Sequence, residues 1–144
     1  MIRNVKMAGA LATLALAFGF LSAQAQTGAQ TLETGTFHGQ VHNTSGRATI
    51  YRESDGKLVL RLSHFKTSNG PDVHVVLIAD KDADDNANFL KSGTERVELG
   101  ILKGNEGDQN YDIPAGTDLT KFQTVSIYCE RFNANFGAAP LTKF

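Results

Sequence analysis

Cys129 is the only cysteine among the 144 residues of the chain, and its sulfur offers chemistry that no other side chain here can supply. A thiolate is a nucleophile and a metal ligand, whereas a buried thiol packs as a small apolar group. One thiol cannot cycle between dithiol and disulfide within one chain, so electron transfer through Cys129 would need a metal, a haem or a second protein. The sequence leaves three uses open for Cys129: core packing, a reactive or ligating sulfur, or a bridge to another molecule.

Histidine is the other residue type that could bind a metal or a haem, and the chain contains four. His74 follows Asp72 closely and lies in an apolar run, where a histidine ordinarily makes a hydrogen bond to a backbone carbonyl. Alternatively, His74 is a haem or copper ligand, with Cys129 or His64 as a partner. His64 continues the alternation of the leucines before it but ends its segment, which places it at the rim. His74, His64 and Asp72 are therefore the candidate ligands or neighbours of Cys129.

The sequence lacks the motifs of the common haem and copper carriers. A c-type haem is attached through Cys-x-x-Cys-His, which a single cysteine cannot supply. A type-one copper site usually places a histidine just after its cysteine, but all four histidines here precede Cys129. The two methionines, Met1 and Met7, lie in an N-terminal segment that we expect to be removed, so the remaining domain has no methionine to serve as a haem or copper ligand. The sequence therefore identifies no cofactor and no metal, and haem and copper stay open.

Residues 1–25 have the features of a secretory signal peptide. Arg3 and Lys6 precede an apolar run from Met7 to Leu21, and Ala23-Gln24-Ala25 fits a small-x-small cleavage site. The run is too short to span a bilayer as a helix. We therefore expect a periplasmic or secreted protein that does not insert into a membrane after the signal peptide is cleaved.

The remaining residues predict a flexible lead-in at 26–34 and one domain at 35–144. Removal of residues 1–25 takes away two of the 14 basic residues and none of the 15 acidic ones, which leaves a net charge of −3 with neutral histidines. A mildly acidic domain without a basic stripe is a poor nucleic-acid binder. We therefore expect no nucleic-acid partner.

Apolar and polar residues alternate with a period of two over most of residues 35–144, and clusters of Gly, Asn, Asp and Pro separate the alternating segments. The run Val73–Ala79 is apolar on both faces, which favours a central strand that is covered on both sides. On the last long segment, Cys129 shares the face of Val125 and Ile127, the side that we expect to face the core. The pattern predicts an all-β fold, a single antiparallel β-sandwich of jelly-roll or immunoglobulin-like type.

The other motifs are short segments spread over the whole domain. They are Gly70-Pro71-Asp72-Val73-His74-Val75, Leu99–Asn105, Gly107, Gln109, Tyr111, Ile113-Pro114, Val125–Cys129, Phe132, Phe136 and Leu141. In this order and spacing they resemble the DM-thirteen domain family, which is labelled as an electron-transfer domain. The resemblance covers roughly residues 35–141. It implies an all-β domain of exported or cell-surface proteins, which in animals lies beside haem-binding-type domains and in cuticle-organising proteins.

The resemblance also implies a role for Cys129, because the redox label of the family rests largely on a characteristic cysteine that maps to this position. The tryptophan that usually precedes this cysteine is Tyr128 here, and we expect the exchange to be tolerated. We predict an exported redox or electron-transfer accessory protein centred on Cys129, with a redox or cell-envelope protein as partner, and not an enzyme by itself. The alternative is a non-catalytic interaction module of the cell envelope in which Cys129 is a buried core residue.

Overall fold

The computed structural model describes residues 28–83 and 93–144, and every regular element within these two stretches is a β-strand. The predicted signal peptide, residues 1–25, lies outside the described residues. No helix among the described residues is long and apolar enough to cross a membrane. The strands are β1 (Gln30–Thr36), β2 (His38–Gly39), β3 (Ser45–Arg52), β4 (Leu58–Lys66), β5 (Val73–Ile78), β6 (Arg96–Ile101), β7 (Gln109–Ile113), β8 (Thr124–Cys129), β9 (Ala134–Pro140) and β10 (Thr142–Lys143).

The strands form two antiparallel sheets that pack face to face as a sandwich. Sheet A has the strand order β10-β1-β3-β4-β7, and sheet B has the order β2-β9-β8-β5-β6. Side chains that alternate inward from both sheets form one apolar core, whose largest fully buried members include Phe65, Phe136, Ile50, Leu60 and Ile127. The prediction of an all-β antiparallel sandwich is confirmed.

Strand β5 is the central strand that its sequence predicted. It lies between β8 and β6 in sheet B. Val75 and Leu77 join the core between the sheets, whereas Val76 and Ile78 pack on the outer face with Tyr128. These four β5 side chains are completely buried. The apolar character of both faces therefore reflects burial on both sides of sheet B.

Strand β1 differs from the predicted flexible lead-in over residues 30–34, whereas residues 26 and 27 lie outside the described residues. From Gln30 onward the chain pairs with β3 and β10, although Leu32 is the only large apolar side chain in the strand. A register shift between Thr31 and Glu33 also interrupts the alternation that would reveal a strand. Backbone pairing with both neighbouring strands forms β1. Because its residues are mostly polar, the alternation of apolar and polar residues does not predict it.

Strand β9 has a composition that predicts no strand, because Ala, Gly and Asn have low β propensity. The structure explains the small side chains by close packing of β9 against β2 and the segment that follows it. A Cβ atom on Gly137 would lie 2.4 Å from the Cβ of Thr44 and 2.7 Å from the carbonyl oxygen of His38. Steric fit therefore requires glycine at this position.

Candidate functional site

Cys129 is the last residue of β8, and its side chain points into the core between the sheets. It pairs with Val73 of β5 and Ala134 of β9. It belongs to the same apolar cluster as Val125 and Ile127, as the alternation predicts, and its exposed fraction is 0%. In this position the thiol fills space as a small apolar group and is closed to solvent.

The hairpin turn at residues 130–133 brings the chain from Cys129 to the surface. Glu130 is exposed, and 63% of Phe132 is accessible to solvent. Asn133 has a φ of 46°, a left-handed conformation that asparagine tolerates, and its N–H donates to the carbonyl oxygen of Glu130 at 3.1 Å. The hydroxyl of Tyr128 donates to Oδ1 of Asn133. The thiol is thus buried directly behind an exposed turn.

His74 lies in a group of carboxylates on the outer face of sheet B. Its Nε2 lies 2.7 Å from Oδ1 of Asp72 and 3.4 Å from Oε2 of Glu130, and its Nδ1 is hydrogen-bonded to Oε1 of Glu98. The imidazole is 13% exposed, whereas the carboxylate side chains are more open to solvent, from 37% for Asp72 to 56% for Glu130. We name these four residues, Asp72, His74, Glu98 and Glu130, the His74 cluster.

Backbone pairing holds the His74 cluster together. The N–H of Glu130 donates to the carbonyl oxygen of Asp72 at 2.9 Å, which extends the β5–β8 ladder beyond both strands. Burial lowers the pKa of His74, but the hydrogen bonds and the negative charges of Glu98 and Asp72 outweigh burial and raise it above its ordinary value. The sheet therefore fixes one imidazole among three carboxylates.

The structure brings Asp72 to His74 but does not bring His74 and Cys129 into one site. Cys129 is opposite Val73 in the ladder, and both side chains face the core. His74, the next residue along β5, points to the other face because successive side chains of a strand alternate. A metal or haem iron bound by both residues would have to reach through sheet B.

His64 lies on sheet A and belongs neither to the surroundings of Cys129 nor to the His74 cluster. It lies in β4 of sheet A, at a register shift between β3 and β4, and has a φ of 49°. Leu62 and Phe65 on either side are buried, but His64 is exposed, because the irregularity breaks the alternation of the strand. Its backbone N–H donates to Oδ1 of Asp108 at 2.8 Å. His64 is therefore at the surface of the other sheet.

Gln109 and Tyr111, two of the residues that carry the family resemblance, support the turn between β6 and β7. The hydroxyl of Tyr111 donates to Oε1 of Gln109 at 2.6 Å and accepts from the N–H of Lys103 at 2.8 Å. The amide Nε2 of Gln109 donates to the carbonyl oxygen of Gly104 at 2.9 Å. Burial raises the pKa of the Tyr111 hydroxyl. The two buried side chains thus supply hydrogen-bond partners to backbone groups of this surface turn.

The supported turn forms one wall of a surface groove. Residues 69–73 and 101–105 line this groove, so two of the motif segments meet there. The N–H of Leu102 donates to the carbonyl oxygen of Val73 at 2.8 Å and joins the two walls. Ile101 is 68% exposed at the edge. Because Asp72 also lines the groove, the groove adjoins the His74 cluster.

Sequence reasoning singled out His74 and Asp72 but missed Glu98 and Glu130. Glu98 comes from β6 and Glu130 from the turn after β8, and only the pairing of β5 with both strands brings them to His74. Alternation beyond β8 places Glu130 on the face opposite Cys129 but does not place it near His74. The register between strands, which would have identified the contact, is not encoded in alternation.

The model of a protein family described as electron transfer DM13 matches residues 36–141. The match includes Cys129, the His74 cluster and both walls of the groove, and it extends over most of both sheets. It is the same family that the sequence motifs resemble. No curated protein and no solved structure matches the chain.

Proposed function

The chain belongs to the family of electron transfer DM13 domains, and from this premise we propose that it is an exported accessory protein of electron transfer, centred on the Cys129 thiol. The match over residues 36–141 is the observation that supports this role, because it includes Cys129 and nearly the whole sandwich. The signal-peptide features of residues 1–25 support export to the periplasm or the cell exterior. Disulfides form and persist in these oxidising compartments.

A single thiol limits the reaction that the domain can support. The chain has one cysteine, so a second redox group must come from a partner: a thiol, a haem or a metal centre. In this role the domain mediates electron transfer with a redox or cell-envelope protein and is not an enzyme by itself.

Because Cys129 is fully buried, a partner or a reagent can reach its sulfur only after the surrounding structure opens. A turn at residues 130–133, exposed at its first three residues, begins directly after Cys129. Opening the end of one hairpin costs less free energy than unfolding the whole domain. We therefore propose that the thiol reacts from a state in which the end of the β8–β9 hairpin is open.

The burial of Cys129 also favours a second candidate function, a non-catalytic interaction module of the cell envelope. With an exposed fraction of 0% and an apolar cluster around it, the sulfur has the surroundings of a core residue. In this case the groove between residues 69–73 and 101–105, with Ile101 exposed at its edge, is the surface that would bind a partner.

Alkylation of Cys129 at increasing denaturant concentration separates the two functions. Reaction from a locally open hairpin predicts a measurable rate that hardly changes at low denaturant, because little surface is exposed on opening. A purely structural thiol predicts a rate that is proportional to the population of globally unfolded protein and therefore rises steeply from the lowest denaturant concentrations. The double variant Cys129→Ala/Ser54→Cys is the control, because residue 54 is in an exposed turn and gives the rate of a free thiol.

Purification of the chain from its native source supplies the second measurement, a visible absorption spectrum with metal analysis. Haem or copper that is lost in Cys129→Ala would support the electron-transfer role. A colourless, metal-free protein whose thiol reacts only after global unfolding would favour the interaction module.

A further inference from the structure

We propose that the His74 cluster binds a divalent transition-metal cation of the Zn²⁺ type, with Nε2 of His74 and the carboxylates of Asp72 and Glu130 as ligands. Such a site is independent of the proposed electron-transfer function, because Cys129 faces the opposite side of sheet B and contributes no ligand. The site is built from the segment before β5, from β5 itself and from the turn after β8.

The positions of three donor atoms support this site. Nε2 of His74, one carboxylate oxygen of Asp72 and one of Glu130 all lie within 4.8 Å of one another. Zinc binds histidine nitrogen and carboxylate oxygen at about 2.0–2.2 Å, so two ligands on a tetrahedral ion are roughly 3.4 Å apart. Nε2 of His74 lies 3.4 Å from Oε2 of Glu130 and 2.7 Å from Oδ1 of Asp72. A small rotation of the partly exposed Asp72 side chain is enough to admit an ion.

Glu98 supplies an independent feature that points to a metal. A histidine that binds a metal through one nitrogen commonly donates its other N–H to a carboxylate, which fixes the ring and makes the ligand more basic. Glu98 occupies this position on Nδ1 of His74 and comes from a different strand from the three ligands. The ring is thus oriented so that Nε2 faces Asp72 and Glu130.

The charge of the His74 cluster also favours a cation. Three carboxylates surround one imidazole, so the cluster is negative even when His74 carries a proton. The backbone hydrogen bond of 2.9 Å between Glu130 and Asp72 keeps their residues adjacent despite the repulsion of like charges. A divalent cation between the carboxylates would remove this repulsion.

The ligand types define the class of cation. Imidazole together with carboxylate suits zinc and its neighbours in the transition series, whereas magnesium and calcium prefer oxygen ligands alone. Three protein ligands leave a position for water. Asp72 and Glu130 are 37% and 56% exposed, so an ion can enter directly from solvent.

Titration of the exported chain with Zn²⁺ tests the site, with the protein untagged, treated with chelator and carrying Cys129→Ala to exclude thiol binding. We expect one equivalent of zinc to bind by calorimetry and to raise the melting temperature, and Mg²⁺ to do neither. Cobalt bound in place of zinc should give visible bands of nitrogen and oxygen coordination. His74→Gln should abolish binding, and Glu98→Gln should weaken it by roughly 10-fold.

Two further variants keep the test decisive if His74→Gln is poorly folded. Glu130→Gln alters an exposed side chain, so we expect an unchanged melting temperature without metal and weaker zinc binding. His38→Gln is the matched control, since Nε2 of His38 contacts Asp82 at 2.6 Å outside the His74 cluster, and it should bind zinc like the parent. Absence of zinc binding by the parent protein, or equal binding by the parent, Glu130→Gln and Glu98→Gln, would overturn the proposal.

Discussion

Cys129 and His74 lie on opposite faces of sheet B, although their strands are direct hydrogen-bonded neighbours. The ladder pairs Cys129 with Val73 on the core side and His74 with Tyr128 on the outer side. The thiol and the imidazole are therefore separated by the sheet itself. A substitution at either residue should leave the surroundings of the other intact, so the two sites can be tested one at a time.

Replacement of Cys129 tests its role as a core residue. Cys129→Ser buries a hydroxyl among apolar side chains, which costs on the order of 1–3 kcal/mol. For a domain of this size we expect the melting temperature to fall by several degrees. Cys129→Ala adds no polar atom and should cost less. Val41→Ser is the control, because Val41 is 44% exposed and should tolerate the change. Equal melting temperatures for wild type, Ser and Ala would contradict the burial of the thiol.

Glu33 gives a prediction about pH. Its Oε2 is buried without a hydrogen-bond partner among the described residues. Burial raises the pKa of Glu33, and the charge of Lys143 offsets only part of this effect. Because the pKa is higher in the folded state, the contribution of Glu33 to stability is complete below the unfolded-state pKa and is lost as the pH rises through the folded-state pKa.

Glu33→Gln removes the charge and should therefore stabilise the fold near neutral pH, by about 1 kcal/mol. The difference from wild type should shrink below about pH 4, where the carboxyl is protonated in both states. Denaturant unfolding at a series of pH values measures this difference. Glu53→Gln, at an exposed position, is the control, and we expect its stability to match that of wild type. Parallel pH profiles for wild type and Glu33→Gln would show that Glu33 is not the cause.

Tyr111→Phe tests the polar support of the turn between β6 and β7. The substitution removes the donor to Gln109 and the acceptor of the Lys103 N–H, and it leaves both groups short of a partner. We expect a loss of about 1–3 kcal/mol in the free energy of unfolding and faster hydrogen exchange at the Lys103 amide. Tyr51→Phe, at a half-buried tyrosine of β3, is the matched control. If both variants lose the same stability, the network contributes nothing specific.

The apolar pattern predicted those strands whose side chains meet the core. On β8 it placed Val125, Ile127 and Cys129 toward the core, and on β5 it placed apolar residues on both faces; all of them are buried. Strands β1 and β9 were missed because other forces define them. Backbone pairing on both sides holds the polar β1, and close contact around Gly137 selects small residues in β9. Neither cause leaves a period-two signal.

For Cys129 and the His74 cluster, too, alternation predicted only part of the arrangement. Asp72 and His74 are two residues apart in sequence, so their proximity could be predicted, and alternation placed Cys129 on the core side. Glu98 and Glu130 reach His74 only through the register of three strands. Since a one-residue shift in register would turn a side chain to the other face, alternation within single strands cannot specify such a contact.

The shortness of β2 and β10 has a consequence for how the molecules behave at high concentration. Each of these strands has two residues, and each lies at one end of its sheet. A long free strand offers a row of unpaired backbone groups on which a second chain can add its own strand and begin a fibre. Here those two borders present almost no such row, which makes them poor templates for polymerisation in a crowded compartment.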